Sequence, residues 1–354
     1  MISGQGEQPA RMSFGLGLYT GQGGDAGGWY RDLAPLAAAA ESAGFGTFWV
    51  SEHHGWDDGY LPSALVALAA AAQATSSIQL GAAVVLPALT HPLRLAEDAA
   101  VVDQLSGGRL VLGLGAGYVP AELAAFGVPM RNRGRRLTET VEILRLAWTA
   151  RPFSYPGRVW PIDAARVTPP PAHRIPIWLG GYADAALERA ARLADGHLVG
   201  RGSPELIERA DGHLAAGRNN DDSFTFGVMV SLVGDDPAAG RESARAAYSS
   251  QQLGYERVQA HADAYAGQVN RPAGRGLDLG AIDAYIQVAG NTAALVDGLV
   301  RIAERLSHWR RVHLAIRAVF PREPVQVVLD RIGYLGLHVL PAVRTRLASE
   351  QGRR

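Results

Sequence analysis

Two neighbouring histidines follow a short apolar run and are the first candidates for chemistry. The run 47–51 is followed directly by Glu52, His53 and His54. An imidazole titrates near neutral pH and can hold or pass a proton, so His53 is a candidate catalytic residue. Adjacent side chains on an extended segment point in different directions, which disfavours a metal site built from both histidines. We therefore predict a catalytic His53 and no metal, with a purely structural histidine as the alternative.

A glycine-rich segment, Gly113–Gly117, ends another apolar run. Tyr118 stands where a dinucleotide-binding G-x-G-x-x-G loop would have its third glycine, so the pattern does not favour that loop. Small residues such as Gly115 would instead let a planar ring lie against the backbone. Tyr118 itself follows a strand, which makes it a second candidate site residue.

A third candidate region could bind phosphate. Gly180, Gly181 and Tyr182 precede a predicted helix, whose free backbone amides could hold an anion, although an ordinary tight turn is the alternative. Arginines also begin a charged helix further up the chain: Arg133, Arg135 and Arg136. Positive charge at a helix start opposes the helix dipole, which favours a ligand on at least one of them.

These residues are placed by short apolar runs that alternate with alanine-rich or amphipathic segments. Strands are predicted at 13–19, 47–51, 78–86, 110–115, 175–181, 196–200, 224–233 and 311–317. Helices are predicted up to 42 and at 63–74, 93–105, 132–149, 184–193, 204–216, 236–252, 291–307 and 324–348. Eight strands followed by helices predict an α/β fold, a (β/α)8 TIM barrel with insertions. The candidate residues follow strands, and the carboxyl ends of barrel strands share the face where enzymes bind substrate.

The chain is interpreted as a loose leader, 1–11, and a single domain, 12–354. Segment 116–131 is predicted to be a loop. Two excursions from the barrel are expected at about 151–174 and 254–285, the second as an insertion beside the site.

Composition excludes several functions. There are 34 basic and 34 acidic residues, and no basic stripe that a nucleic acid would follow. Every basic residue is arginine and cysteine is absent, so Schiff-base, thiol and cysteine–zinc chemistry are excluded. No apolar run is long enough to cross a membrane. The expected location is the cytoplasm.

With these motifs in order, the sequence resembles the bacterial luciferase-like flavin monooxygenases. The likeness is carried by Ser51–His54, Leu80–Leu86, His91–Asp98, Asp103–Arg109, Phe126–Gly127, Arg135 and Glu139, and it returns at Pro176–Ala191 and more faintly at Val339–Pro341. It covers roughly two thirds of the chain and identifies a superfamily, not a substrate.

The resemblance implies a TIM barrel that binds reduced FMN at the carboxyl ends of the strands, often within a homodimer. It implies that His53 lies beside the reactive edge of the flavin ring. It also implies a non-prolyl cis peptide at Ala83–Val84 beneath the ring, and phosphate contacts from Arg135 and from the backbone of Tyr182–Ala183.

The implied activity is a flavin-dependent monooxygenase. Reduced flavin, made by a separate flavin reductase, would react with molecular oxygen and pass one oxygen atom to a small organic substrate. His53 would stabilise or protonate the oxygen adduct, while Tyr118 and the 254–285 insertion would line the substrate side.

Two departures from the family pattern keep other functions open. Luciferases have an arginine for the FMN phosphate where this chain has Ala116, which makes the loop resemble the branch that uses the deazaflavin coenzyme F420. Sugar-phosphate dehydrogenases of that branch have a catalytic glutamate where this chain has Tyr118. The alternatives are an F420-dependent dehydrogenase or reductase and a non-catalytic flavin-binding barrel.

Overall fold

Eight parallel strands close into a barrel, which confirms the predicted TIM-barrel fold. The structure, a computed structural model, describes residues 11–18, 26–56, 59–200, 204–234, 288–319 and 323–351. The strands are β1 Arg11–Leu18, β2 Thr47–Val50, β3 Gln79–Val85, β4 Leu110–Leu114, β5 Phe153–Pro156, β6 Pro161–Ala165, β7 Ile177–Gly180, β8 Gly196–Val199, β9 Thr225–Gly234, β10 Val288–Gly290 and β11 Arg311–Val319. Around the barrel the order is β1, β2, β3, β4, β7, β8, β9 and β11, and β11 pairs with β1. All eight predicted strands are therefore present.

Helices separate the strands and cover the barrel. They are α1 Ala26–Ser42, α2 Ala64–Ala74, α3 Pro92–Ser106, α4 Pro120–Ala125, α5 Arg133–Ala147, α6 Asp184–Leu193, α7 Pro204–Arg218, α8 Thr292–Arg305, α9 Val325–Tyr334 and α10 Leu340–Gln351. The predicted helix at 236–252 and the predicted insertion at 254–285 lie outside the described residues. So do residues 1–10 of the predicted leader, whereas Arg11 already belongs to β1 and pairs with Arg311.

Segment 116–131 is not the plain loop that the sequence predicted, because it contains the short helix α4. Pro120 occupies the first turn of α4, where its fixed φ suits a helix. Leu123 packs with Ala88 and Val128 in a small buried cluster. Six residues are too few to show a helical period in the sequence, so only these tertiary contacts reveal the helix.

Two other segments differ in detail from the prediction. The excursion at 151–174 leaves the barrel as predicted, and its first part forms an antiparallel hairpin of β5 and β6. The predicted C-terminal helix is interrupted by a π-helical turn, Leu335–Val339, between α9 and α10. A Cβ at Gly336 would lie 2.4 Å from the carbonyl oxygen of Ala43, so this turn passes close to the end of α1. Sequence periodicity does not separate one wide turn from the α-helix around it.

The inside of the barrel is filled by large side chains that lie next to glycines on neighbouring strands. Trp49 on β2 and Trp178 on β7 pack with ring centroids 5.2 Å apart. Trp49 Nε1 donates a hydrogen bond to His313 Nε2 at 2.9 Å. A Cβ at Gly81 would lie only 2.2 Å from Trp49 Cε3, so β3 leaves room for the indole by having no side chain there. The lumen is a packed core, as in other TIM barrels.

Arg109, just before β4, connects segments at the amino-terminal end of the barrel strands. Its guanidinium donates to the carbonyl oxygens of Ala72, Thr75 and Ile78 at 2.8–3.1 Å, and its Nε donates to the carbonyl of Ser106. Arg109 belongs to the segment 103–109, which carries part of the family resemblance, and it therefore has a structural role. Within the ranges that the structure describes, no helix combines the length and apolar character needed to cross a membrane.

Candidate active site

The carboxyl ends of β2, β3 and β4 are joined to one another at one side of the barrel mouth. Glu52, just after β2, accepts hydrogen bonds from the backbone amides of Leu86 (3.0 Å) and Ala64 (3.2 Å). The amide of Gly115 donates to the carbonyl oxygen of Val85 at 3.0 Å. These bonds bring the loop after β2 next to the end of β3, and the end of β3 next to the start of the loop after β4.

His53 lies in the first of these loops and contacts a buried carboxylate. Its Nδ1 is 2.7 Å from Oε1 of Glu122, which lies on α4 and is only 2% exposed. The same Oε1 accepts hydrogen bonds from Trp56 Nε1 at 2.7 Å and from the backbone amide of His54 at 3.2 Å. One carboxylate oxygen therefore holds the loop after β2 against the helix after β4.

Three aromatic rings surround the imidazole of His53. The rings of Trp56 and Tyr60 each lie 4.8 Å from it between centroids, and both residues are buried. Tyr118 meets His53 edge-on at 5.9 Å and is 55% exposed. The Tyr60 hydroxyl is 2.5 Å from Ser51 Oγ. The structure thus brings the two predicted catalytic residues, His53 and Tyr118, together in a largely apolar environment.

His54 points away from this cluster. Its Nε2 lies 3.4 Å from Glu52 Oε1, and its ring packs on Phe126 at 5.0 Å between centroids. Adjacent histidines therefore face different partners, as the strand geometry predicted. Among the described residues, no three histidine, cysteine or acidic side chains are grouped closely enough to hold a metal ion.

A patch of small residues surrounds Val84 at the end of β3. The peptide bond between Ala83 and Val84 is cis, which confirms the geometry that the family resemblance implied. A Cβ at Gly115 would lie 2.5 Å from Val84 Cγ2, and one at Gly180 would lie 3.5 Å from Val84 Cγ1. The glycines at 115 and 180 thus leave room for the side chain of Val84 between the loop after β4 and the end of β7.

The three arginines at the start of α5 have different environments. Arg133 donates to the carbonyl of Met130 at 2.7 Å, and Arg136 donates to the carbonyl of Ala88 at 3.0 Å. Arg136 also stacks over the ring of Trp160 at 4.6 Å. Arg135 is exposed. Two of the three arginines therefore have structural contacts, and Arg135 projects to the surface.

Positive charge accumulates where α5 and α6 approach each other. Arg189 on α6 donates from Nε to Thr138 Oγ1 at 2.8 Å, and a Cβ at Gly134 would lie 3.1 Å from its guanidinium. Burial, followed by the nearby charges of Arg192 and Arg133, lowers the pKa of Arg189. This clustering of like charges makes the region favourable for an anion.

The turn before α6 depends on a glycine and leaves the start of the helix without a side-chain cap. Gly181 has a φ of 141°, which side-chain-bearing residues rarely adopt, and a Cβ there would lie 2.7 Å from Ala186 Cβ. Ala183 occupies the N-cap position without a side-chain cap. The carbonyl of Tyr182 accepts a hydrogen bond from Arg209 Nε at 2.9 Å, which steadies the turn.

His91, which follows β3 and begins the segment His91–Asp98 of the family resemblance, has a structural role. Its Nδ1 accepts the amide of Leu93 at 3.2 Å and so caps α3. Its ring packs against Trp160 at 5.0 Å. Glu139, also part of the resemblance, accepts the backbone amides of 158–160 and anchors the β5–β6 turn.

Sequence reasoning missed Glu122, Trp56 and Tyr60. In segment 116–131 the sequence singles out Tyr118 as a candidate, and the one acid of the segment, Glu122, is not among the predicted site residues. A signal was present, because Glu122 is an acidic residue in the segment after β4, at the face where barrel enzymes place functional groups.

The fold and the site define a class of protein, namely a TIM-barrel protein whose candidate functional residues lie at the carboxyl ends of the strands. A family model described as luciferase-like monooxygenase matches residues 12–314. The chain belongs to the luciferase-like monooxygenase family.

Relatives of similar sequence include a dehydrogenase and an uncharacterized protein. The chain is 34% identical over 213 residues to an F420-dependent glucose-6-phosphate dehydrogenase of Nakamurella multipartita, covering 56% of this chain and 62% of the relative. It is 32% identical over 194 residues to the uncharacterized protein Rv0940c of Mycobacterium tuberculosis, covering 49% of this chain and 67% of the relative.

Solved structures similar to this one include both FMN and F420 proteins. Monooxygenase RslO1 from Streptomyces bottropensis superimposes with a TM-score of 0.76 at 22% identity, over 93% of this chain and 99% of that one. The oxygenating constituent of 3,6-diketocamphane monooxygenase from Pseudomonas putida, in complex with FMN, has a TM-score of 0.71 at 18% identity, over 94% and 99%. An F420-dependent secondary alcohol dehydrogenase has a TM-score of 0.72 at 18% identity, over 95% and 99%. At these identities the likeness shows the fold alone.

Proposed function

We propose that this protein is a flavin-dependent monooxygenase that uses reduced FMN and molecular oxygen to oxygenate a small organic substrate. The observation that carries the proposal is the placement of His53. Its imidazole is held by Glu122 and enclosed by aromatic rings, in the loop after β2 that Glu52 joins to the end of β3, where the cis bond Ala83–Val84 lies. An ionisable group beside a surface for a planar ring is the arrangement that flavin chemistry needs.

The residues present fit a flavin. The ring would lie on the cis-bonded segment Ala83–Val84, with Gly115 and Gly180 leaving room for the Val84 side chain beneath it. The phosphate would lie near Arg135 and the turn Gly181–Ala183, where α6 presents its amino end and arginines concentrate. Reduced flavin would supply the electrons that activate molecular oxygen.

The residues around the ring would have distinct tasks. His53 would hold or deliver a proton at the oxygen being transferred. Trp56 and Tyr60 would keep water away from the imidazole, because both are buried against it. Tyr118, half exposed at the mouth, would contact the substrate.

Partners follow from the same proposal. A separate flavin reductase would supply the reduced cofactor. We also expect a homodimer, because α2 and α3 expose the large apolar side chains Val66, Val101 and Leu105.

A second candidate function is an F420-dependent dehydrogenase or reductase. Ala116 replaces the arginine expected for FMN phosphate, and one of the relatives is named an F420-dependent dehydrogenase. Hydride transfer would consume no oxygen. Tyr118 in place of the glutamate of that branch favours the monooxygenase.

Cofactor titration followed by oxygen mixing tests the choice. The purified protein is titrated anaerobically with reduced FMN and with reduced F420, and each complex is mixed rapidly with oxygenated buffer. Binding of reduced FMN and a transient absorbance change with oxygen would support the monooxygenase. Binding of F420 alone, unchanged by oxygen, would establish the dehydrogenase or reductase alternative. Binding of oxidised flavin with no reaction would identify a non-catalytic flavin-binding barrel.

Replacing His53 tests its role in turnover. We expect His53→Ala to lose about 100-fold or more of turnover, as for the loss of a general acid or base, while the affinity for reduced flavin stays nearly unchanged. His54→Gln is the matched control, because His54 faces Glu52 and Phe126 instead of the candidate site. Unchanged turnover in His53→Ala would remove His53 from the mechanism.

A further inference from the structure

We propose that Glu122 is a positioning residue that sets the tautomer of His53. It fixes the hydrogen on Nδ1, so that Nε2 is the nitrogen that exchanges a proton with a bound group. The assignment of Nε2 as the working atom rests on the proposed function, whereas the tautomer itself does not.

The argument begins with the donors that converge on one oxygen. Glu122 Oε1 accepts from the indole N–H of Trp56 at 2.7 Å and from the backbone N–H of His54 at 3.2 Å. Neither group can act as an acceptor, so Oε1 is an acceptor towards both. An oxygen that accepts two N–H groups is a carboxylate oxygen without its own proton. It is then an acceptor towards His53 as well.

The direction of the third hydrogen bond, between His53 and Glu122, follows from this. His53 Nδ1, 2.7 Å from Oε1, must donate, and therefore carries a hydrogen. In the neutral ring the other nitrogen, Nε2, is then the one with the lone pair. Because Glu122 is almost completely buried, Nδ1 faces the interior, and Nε2, separated from Nδ1 by Cε1, is the ring nitrogen that Glu122 leaves available to a bound group.

The carboxylate also fixes the orientation of the ring. The rings of His53 and Trp56 lie 4.8 Å apart and 31° from parallel, and both are tied to the same oxygen. Rotation of the imidazole would break its hydrogen bond to Glu122. Movement of the indole would break the hydrogen bond from Trp56 to the same oxygen. Glu122 therefore links α4 to the loop after β2 through two side chains and one backbone amide.

The first test is a direct observation of the tautomer. The protein is labelled with ¹⁵N-histidine, the His53 signals are assigned by their loss in His53→Ala, and the neutral ring is examined at alkaline pH. We expect a protonated Nδ1 and an unprotonated Nε2 in the wild-type protein. A protonated Nε2 with a bare Nδ1 would overturn the proposal, and this result does not depend on whether the protein has oxygenase activity.

Two substitutions then separate positioning from mere stability. Glu122→Gln retains an acceptor oxygen, so we expect the Nδ1–H tautomer to persist. Glu122→Leu removes the acceptor, so the hydrogen is expected to move to Nε2. If the leucine variant does not fold, the wild-type and glutamine spectra still decide. An unchanged tautomer in folded Glu122→Leu would contradict the proposal.

Turnover provides a second readout through a double-mutant cycle. Glu122→Gln, which keeps an acceptor oxygen and the tautomer, should retain most of the turnover, whereas Glu122→Leu is expected to reduce it about 10- to 100-fold, the usual effect of losing the partner of a functional histidine, with little change in flavin affinity. In the His53→Ala background the leucine change should have almost no further effect, because Glu122 acts through His53. Equal losses in both backgrounds would show that Glu122 acts independently and would overturn the proposal. Glu188→Gln, an exposed change on α6, is the control.

Discussion

At the scale of single residues, packing inside the barrel depends on glycines as much as on large side chains. Trp49 fills the lumen and is held by Trp178 and by the hydrogen bond to His313. Its position is available because the neighbouring residues on the two adjacent strands are glycines, Gly81 on β3 and Gly15 on β1. The pairing of a tryptophan with a glycine on adjacent strands keeps the lumen fully packed without displacing the strands.

We expect Gly81→Ala to destabilise the protein by roughly 1–3 kcal/mol, because the added methyl overlaps an indole that has no room to move. Chemical denaturation of the purified variant measures the effect. The matched control is Gly212→Ala on exposed α7, where a Cβ meets no atom within 4 Å. The control should gain about 0.5–1 kcal/mol from helix propensity. A Gly81→Ala variant as stable as the control would contradict this account of the lumen.

At the scale of elements, the turn of the β5–β6 hairpin is attached to the barrel through the acid Glu139 and the aromatic side chain of Trp160, in addition to the hydrogen bond from Tyr155 to Glu142. Glu139 on α5 is buried and accepts the amides of Arg158, Val159 and Trp160 at 2.9–3.1 Å. Trp160 lies between the guanidinium of Arg136 and the ring of His91. The hairpin is thereby fixed beside the loop that follows β3.

Glu139→Gln should loosen this attachment. The amide side chain has one acceptor oxygen where the carboxylate has two, so at least one buried N–H is left without its acceptor, at a cost of about 1–3 kcal/mol. Hydrogen exchange should become faster at 158–160, while amides of α3 keep their wild-type protection. Glu188→Gln on the exposed face of α6 is the control. Unchanged exchange at 158–160 would show that Glu139 is not needed to hold the hairpin turn.

At the scale of the whole molecule, two buried histidines link stability to pH. Burial lowers the pKa of His197 to about 4 and that of His313 to about 3. In the unfolded chain both rings titrate near the ordinary value of about 6.5. The folded protein therefore holds them neutral while the unfolded chain binds protons below that pH. The contribution is complete above pH ~6.5 and is lost progressively as the pH falls towards the folded values.

We therefore expect the free energy of unfolding to fall from pH 7 to pH 5. On unfolding near pH 5, these two histidines together would take up about two protons. Urea denaturation across this range measures the slope. His197→Leu should reduce the uptake by about one proton, because it removes one of the two buried rings. A slope unchanged by the substitution would mean that His197 does not contribute.

The sequence by itself determined the barrel and the face that bears the site. Apolar runs of strand length alternate with helical segments, and this local periodicity follows from backbone geometry, so all eight barrel strands were predictable. His53 and Tyr118 could be placed at the same face because parallel strands share one direction. The cis peptide at Ala83–Val84 followed from the family resemblance.

Only the tertiary structure decided the partners of these residues. His53 and Glu122 are 69 positions apart and meet because β3 brings β2 and β4 together, a contact that no local pattern encodes. The six-residue α4 is too short to have a recognisable period, and its burial depends on packing against Ala88 and Val128. Strand direction places a residue on a face of the barrel, but which side chains touch there is set by packing between elements distant in the chain.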